Sequence, residues 1–522
     1  MLTAEGLFVG GGGENYGTPQ ELLLKFGNRH GLVAGATGTG KTVTLQVLAE
    51  GFSKAGVPVF AADIKGDLSG IAAAGSAEHK LHEAFLKRAA TIGYTVAYEA
   101  FPVTFWDLFG EKGHPIRTTV TEMGPVLLSR LMELSEPQEG VLNIAFRVSD
   151  EEHLPLLDLK DLQAILVWIG QNAEALSLRY GNVAVSTIGA IQRQLLVLEN
   201  QGGANLFGEP ALDLADMMTV TPEGKGQVNI LAADRLMGSP KLYSTFLLWL
   251  LSELFERLPE VGDPDRPKFV FFFDEAHLLF DEAPKALVDK VEQVARLIRS
   301  KGVGVYFITQ NPADVPDDIL GQLGNRVQHA LRAFTAKDQK DLVRAAETYR
   351  TNPRFYTETA IKEVGTGEAV TSFLMAKGEP GMVERTLIRP PASQLGPLSD
   401  EARKAVMAAS PMAAKYDITL DRESAYELLA KRATETAAAE EEADRKTDLL
   451  KELDAELSAR RRFDTTFDTG GKTRSVRYDP AVEAKKRGPT ITEQLTKTVV
   501  KELSGTTGRK IVRGILGGLF KS

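Results

Sequence analysis

The chain has 522 residues, of which 43% are hydrophobic and 25% charged, enough to bury a sizeable core in about two to four domains. Its formal net charge of −9 gives no general pull toward nucleic acid, although an acidic body can still carry a locally basic lining. The absence of cysteine excludes disulfides, thiolate metal sites and a cysteine nucleophile. The start, MLTAEGLFVGGGGENYG, has no basic stretch followed by an apolar core, so no signal peptide is expected. The apolar run Phe246 to Leu251 is stopped by Ser252 and Glu253, far short of the roughly 20 residues that span a bilayer. The expectation is a soluble, cytoplasmic protein.

Short apolar runs alternate with longer helical patterns, the signature of a parallel α/β sheet. Strands are expected at Gly31 to Gly35, Val57 to Asp63, Gln227 to Ala232, Phe269 to Asp274, Val303 to Thr309 and Val327 to Leu331. The first runs into GATGTGKT and then a helix from Lys41 to Lys54. Between Glu122 and Leu206 the period turns helical, as in DLQAILVWIGQNAEAL, and reads as an insertion. Glu368 to Ala376 and Met382 to Ile388, joined across KGEPG, read as an antiparallel hairpin at the sheet edge. The expected division is a nucleotide-binding domain over 1–398 with the insertion at about 122–206, a charged helical extension over 399–462, a linker over 463–490 and a basic amphipathic tail over 491–522.

The loop Gly35-Ala36-Thr37-Gly38-Thr39-Gly40-Lys41-Thr42 fits G-x-x-x-x-G-K-[ST] at every fixed position. Its glycines let successive backbone N–H groups face phosphate oxygens, Lys41 supplies a compact cation for the β- and γ-phosphates, and the Thr42 hydroxyl can ligate Mg²⁺. The strand before it and helix after it set it apart from a chance glycine turn. In KFVFFFDEAHLLF an unbroken apolar strand delivers Asp274, a candidate magnesium acid, and Glu275, a candidate base for the attacking water; an acidic helix cap is the plainer alternative. No guanine-selecting Asn-Lys-x-Asp element and no ABC-type signature is found. Only about 115 residues separate Glu275 from RPPAS, too few for a second motor domain, so His277 reads as a packing residue at a helix start rather than a coupling element. Gln310 ends the strand of VGVYFITQNPADVP, where an amide can sense the γ-phosphate or simply cap the strand. Another strand ends at Asp63, with Lys65 and Asp67 after it, where a solvated loop is an equal reading. Arg326 stands just before a strand and Arg332 just after it, and a local ion pair of Arg326 with Asp317 or Asp318 is the plain alternative to a catalytic role.

Together, GATGTGKT, ADIKGDLSG, FFFDEAHLLF, ITQNPADVP and GNRVQHALRAFTAKDQ resemble the HerA–FtsK group of P-loop ATPases, especially the bacterial HerA-like branch typified by YjgR, over roughly Gly6 to Pro397. The resemblance implies an α/β, RecA-like P-loop fold with a mainly parallel sheet, a helical insertion and a helical C-terminal extension. It implies ATP and Mg²⁺ as cofactors, with nucleotide held by Gly35 to Thr42 and by Val43. It also implies a ring-forming homo-oligomer, expected to be a hexamer, and ATP-driven translocation of duplex DNA in which Lys41, Glu275, Gln310 and an interface arginine at Arg326 carry the catalysis. About 30 residues precede the loop, so the N-terminal β-barrel of HerA proper is expected to be missing. The competing expectation is an oligomeric ATPase that remodels a protein partner without nucleic acid. From Lys485 onward nine basic residues face two acidic ones, and Ile491, Leu495, Val499 and Leu503 share a helical face. That tail could dock on its own core, on a protein partner, on DNA or on an anionic surface.

Overall fold

The structure is a computed structural model that describes residues 5–280 and 285–463, so the expected linker beyond residue 463 and the basic tail lie outside the described residues. The chain divides into two compact units. The first comprises the described parts of Met1–Phe146, Leu156–Leu159 and Gly189–Arg422, and the second those of Arg147–Pro155, Lys160–Ile188 and Glu423–Ser522.

The first unit is built on twelve strands: β1 Gly6–Gly12, β2 Thr18–Leu23, β3 Gly31–Ala34, β4 Val59–Asp63, β5 Val103–Asp107, β6 His114–Pro115, β7 Val228–Ala232, β8 Phe269–Phe273, β9 Val303–Thr309, β10 Asn325–Gln328, β11 Glu368–Ser372 and β12 Glu384–Ile388. They form one sheet in the order β2-β1-β12-β11-β10-β3-β9-β8-β4-β7-β5-β6. From β10 to β6 all neighbours run parallel, whereas β11, β12, β1 and β2 are antiparallel. Every residue of β3, β4, β5, β7, β8 and β9 is buried, as a parallel sheet covered on both faces requires.

The helix Lys41–Lys54 is a good helix former in LQVLAE and lays Leu45, Leu48 and Phe52 on one sheet face against Val33, Val270, Phe272, Tyr306 and Ile308. The Phe52 ring centroid lies 6.4 Å from that of Phe272 and 5.8 Å from that of Tyr306. A buried ion pair fastens this helix to a segment 339 positions further along the chain. Arg389 Nη1 donates to Glu50 Oε2 at 2.9 Å, and Arg389 Nη2 to the Val47 carbonyl at 3.0 Å. The Ala392 and Ser393 backbone N–H groups both donate to Glu50 Oε1 at 2.9 Å, so the RPPAS segment is stapled to the helix that follows the phosphate loop.

Two expectations need correction. The hairpin of β11 and β12 is present, but it is interior to the sheet, because β1 pairs with β12 and β2 lies beyond. The glycines of GLFVGGG make this possible: a Cβ on Gly10 would sit 2.1 Å from the Leu387 carbonyl oxygen, and one on Gly11 2.0 Å from that of Tyr16. Glycine is depleted in strands, so this run does not read as one. The strand expected at Val327 to Leu331 instead runs Asn325–Gln328, which makes Arg326 its second residue. After Gln328 the chain turns onto the loop, with the His329 N–H donating to the Ala34 carbonyl at 2.7 Å and the Ala36 N–H to the Ala330 carbonyl at 2.8 Å.

The segment from Glu122 to Leu206 is helical, as its period indicates, with long helices at Glu136–Glu152, Leu159–Gln171 and Val185–Leu198. The second unit joins part of it to the C-terminal helix Ala425–Phe463. There Asp161 Oδ1 accepts from Ser424 Oγ at 2.6 Å and from the Tyr426 N–H at 2.8 Å, and Arg432 Nη1 reaches Glu152 Oε2 at 3.0 Å. Ser399 to Arg422 belongs to the first unit instead. Among the described residues no helix is long and apolar enough to cross a membrane.

Candidate active site

The phosphate loop leaves β3 and enters its helix through three glycines with positive φ: Gly35 at 149°, Gly38 at 78° and Gly40 at 115°. Gly35 also has no room for a side chain, since a Cβ there would lie 2.5 Å from His329 Cβ. Such turns bring backbone N–H groups to a helix N-terminus, whose partial positive charge favours phosphate. Lys41 is the first residue of that helix. It is buried and donates to the Gly35 carbonyl at 2.5 Å and the Ala36 carbonyl at 3.1 Å, so its ammonium sits across its own loop. Burial lowers the Lys41 pKa, while Glu275 and Asp274 oppose that shift. Thr37 and Gly38 are exposed at the loop tip, and Thr42 and Val43 are half-buried in the first helical turn.

The acid pair follows β8 directly. Asp274 Oδ1 accepts the Glu275 N–H at 2.9 Å, and the Asp274 carbonyl accepts from Tyr243 Oη at 3.0 Å. Burial, then the neighbouring Glu275 charge, raises the Asp274 carboxyl to about 7. Glu275 has φ 48° and ψ 52°, a left-handed backbone that costs a non-glycine residue about 1 kcal/mol or more and persists only where its surroundings enforce it. Its carboxylate is buried and shared. Lys65 Nζ donates to Oε1 at 3.1 Å, Gln310 Nε2 donates to Oε2 at 3.3 Å, and His277 Nδ1 lies 3.5 Å from Oε2. Thr37 Oγ1 is 3.5 Å from Gln310 Oε1, which ties the loop tip to the same cluster. The structure therefore gathers Lys41, Asp274, Glu275 and Gln310 where β3, β8 and β9 end, with Lys65 added from the end of β4.

His277, read as a packing residue, is only 26% exposed in its side chain and borders the Glu275 carboxylate. Asp63 closes β4, where Oδ2 accepts the Leu68 N–H at 3.1 Å and Oδ1 has no hydrogen-bond partner among the described residues. Burial, then Asp67, raises its carboxyl to about 6.

Arg326 is not in this cluster. Its Nε donates to the Leu323 carbonyl at 3.0 Å and its Nη2 to the Leu320 carbonyl at 2.8 Å, and its guanidinium lies 6.0 Å from the Tyr349 ring centroid. It lines a cleft with Leu320, Gln328, Asp341 and Arg344. The local ion pair weighed for it is made by another residue, since Asp317 pairs with Arg344. Arg332, just past the strand, is exposed.

One residue of the site escaped the sequence. His329 is fully buried, its ring bonded through Nε2 to Thr44 Oγ1 at 2.8 Å and through Nδ1 to the Glu368 carbonyl at 3.1 Å. A Cβ on Gly40 would meet its Cε1 at 3.4 Å, and Gly35 rests on its Cβ, so the ring backs the loop from beneath. Burial lowers its pKa to about 4, so it is neutral near pH 7. QHAL carries no spacing that would single this histidine out.

No curated protein matches the chain. Among solved structures it is similar to the plasmid coupling protein TrwB in complex with the non-hydrolysable GTP analogue GDPNP, at 14% identity and a TM-score of 0.49, covering 76% of this chain and 93% of that one. It is similar also to TrwB in complex with ADP and Mg²⁺, at 16% identity and a TM-score of 0.47 over 76% and 92% of the two chains. VirB4 of Thermoanaerobacter pseudethanolicus aligns at 15% identity and a TM-score of 0.45, over 74% and 97%. The model of the helicase HerA-like C-terminal family matches residues 12–522, a span that holds the phosphate loop, the acid pair and the Gln310 strand end together, and the chain belongs to that family.

Proposed function

We propose that the protein is an ATP-hydrolysing motor that works as a ring-forming oligomer, expected to be a hexamer, on duplex DNA. The observation that carries the ATPase reading is the convergence of Lys41, Asp274, Glu275 and Gln310 at neighbouring strand ends, with one Glu275 oxygen within 3.3 Å of the Gln310 amide. Gly35 to Val43 would wrap the phosphates, and Lys41 would exchange its loop carbonyls for β- and γ-phosphate oxygens. Thr42 and Asp274 fit Mg²⁺, which is held by one or two protein ligands together with phosphate oxygens. Among the described residues no three acids or histidines group as a metal site, so an ion here needs oxygens from the nucleotide. When bound, Mg²⁺ would neutralise charge developing on the phosphates. Glu275 would take a proton from the attacking water as its oxygen bonds to the γ-phosphorus, while Gln310 orients that water. An arginine at the interface would complete the charge stabilisation. Arg326 serves there only if it leaves the Leu320 and Leu323 carbonyls.

Family membership supports the DNA reading. A second reading, an ATPase acting on a protein partner, is favoured by the C-terminal helix, where Leu449, Leu450, Leu453 and Leu457 are 67%, 58%, 55% and 50% exposed. ATP turnover of the purified protein with and without duplex DNA, at low and moderate salt, separates the two. Salt-sensitive stimulation is expected, because phosphate contacts release counterions. Turnover indifferent to DNA at both salts would leave the protein-partner reading, and no turnover at all would end both.

A further inference from the structure

Glu275 needs more than its place after β8 to act as a base. Its backbone is in a left-handed conformation, and a carboxylate on such a residue can swing through several rotamers unless its oxygens are held. Three side chains from separate segments hold them. Gln310 and His277 border Oε2, while Oε1 is engaged by Lys65 alone among the described contacts, at 3.1 Å. Lys65 arrives there for a structural reason. β4 pairs directly with β8, Ala61 opposite Phe272, so the residues that follow the two strands emerge side by side. The turn carrying Lys65 is fixed at its base: Asp63 Oδ2 accepts the Leu68 N–H at 3.1 Å, and Ser69 Oγ donates to the Gly66 carbonyl at 3.0 Å while accepting the Leu398 N–H at 2.9 Å. The Lys65 side chain reaches Glu275 from the solvent side, at 48% exposure against 8% for Glu275.

We infer that Lys65 is a positioning residue for Glu275: it fixes Oε1 so that Oε2 faces the water that Gln310 orients. The inference rests on the ATPase reading above. In the step it serves, the water oxygen bonds to the γ-phosphorus, the bond from that phosphorus to the bridging oxygen of ADP breaks, and the water proton passes to Glu275 and then to the released phosphate. Lys65 neither gives nor takes a proton.

The test uses the full chain and steady-state ATP turnover. Lys65→Met should lower kcat about 10²-fold, the lower end of what a lost general base costs, with KM for ATP changed less than about three-fold. Lys65→Arg should restore most of kcat, because an ammonium and a guanidinium can both grip a carboxylate oxygen. In a Glu275→Gln background, Lys65→Met should cause no further loss, since a residue acting only through Glu275 has nothing left to position. A merely structural role would lower the melting temperature and would not show this dependence on Glu275. Lys65→Gln provides a second neutral variant should the methionine protein aggregate. Wild-type kcat in Lys65→Met, a raised kcat, or an equal fall in the Glu275→Gln background would overturn the inference while leaving the ATPase reading standing. Absence of turnover in the wild type would overturn both.

Discussion

The ends of β8 and β10 each present a residue that the sequence marks for catalysis, and the fold treats them differently. Glu275 is held by side chains, those of Lys65, Gln310 and His277. Arg326 is held by the backbone, through the Leu320 and Leu323 carbonyls. Side-chain partners exchange by rotamer changes within picoseconds to nanoseconds when exposed, whereas freeing an arginine from main-chain carbonyls leaves those acceptors wanting a donor. The first arrangement can thus exchange one partner at little cost, whereas undoing the second leaves two acceptors without a donor. β10 nevertheless serves the loop from its other end, through His329.

The largest effect is expected at β8. Glu275→Gln should bind ATP but turn it over roughly 10²–10⁴-fold more slowly, and Lys41→Ala should instead weaken nucleotide binding, both read by steady-state kinetics beside a direct binding assay. Unchanged turnover in Glu275→Gln would remove that residue from the role of base and erase the contrast.

Next comes the His329 end of β10, through pH. Its folded pKa of about 4 lies below the unfolded value of about 6.5, so as pH falls the unfolded chain takes up the proton first. Stability that is fully present above pH 6.5 should drain away between about pH 6.5 and 4. Asp63 and Asp274 shift upward and act in the opposite sense, and His30, also lowered to about 4 by burial, acts in the same sense. The difference between wild type and His329→Gln isolates one group. Across that window the wild type should lose about 3 kcal/mol more than the variant in denaturant unfolding. Parallel profiles would mean that His329 titrates normally and does not back the loop as a buried neutral ring.

The smallest effect is expected at Arg326. Arg326→Ala should cost about 1–3 kcal/mol of stability as the two carbonyls lose their donor, with turnover per folded chain within ten-fold of wild type. A turnover loss of 10²-fold or more, partly restored on mixing with Glu275→Gln protein, would show that the arginine leaves its carbonyls to serve a second copy of the chain.

How legible each part was follows from the range of its contacts. The phosphate loop and acid pair are local patterns in which a few adjacent residue types carry the chemistry, and the core strands are unbroken apolar runs. His329 matters through Thr44, 285 positions away, and no local pattern announces such a contact. β1 was hidden by the glycines that let it fit between β12 and β2. Lys65 could be seen beside a strand end, but its bond to Glu275 depends on β4 lying next to β8, and strand order is not written in any one segment.

The Glu50–Arg389 staple has a consequence in time. Its two halves lie 339 residues apart. At about 5–20 residues per second of synthesis, the helix behind the phosphate loop waits roughly 20–70 s for the arginine that neutralises its buried glutamate. A carboxylate committed to the interior without that partner is strongly destabilising. A chain broken off before residue 389 carries Glu50 without its partner and should show lower soluble yield on expression than the full chain.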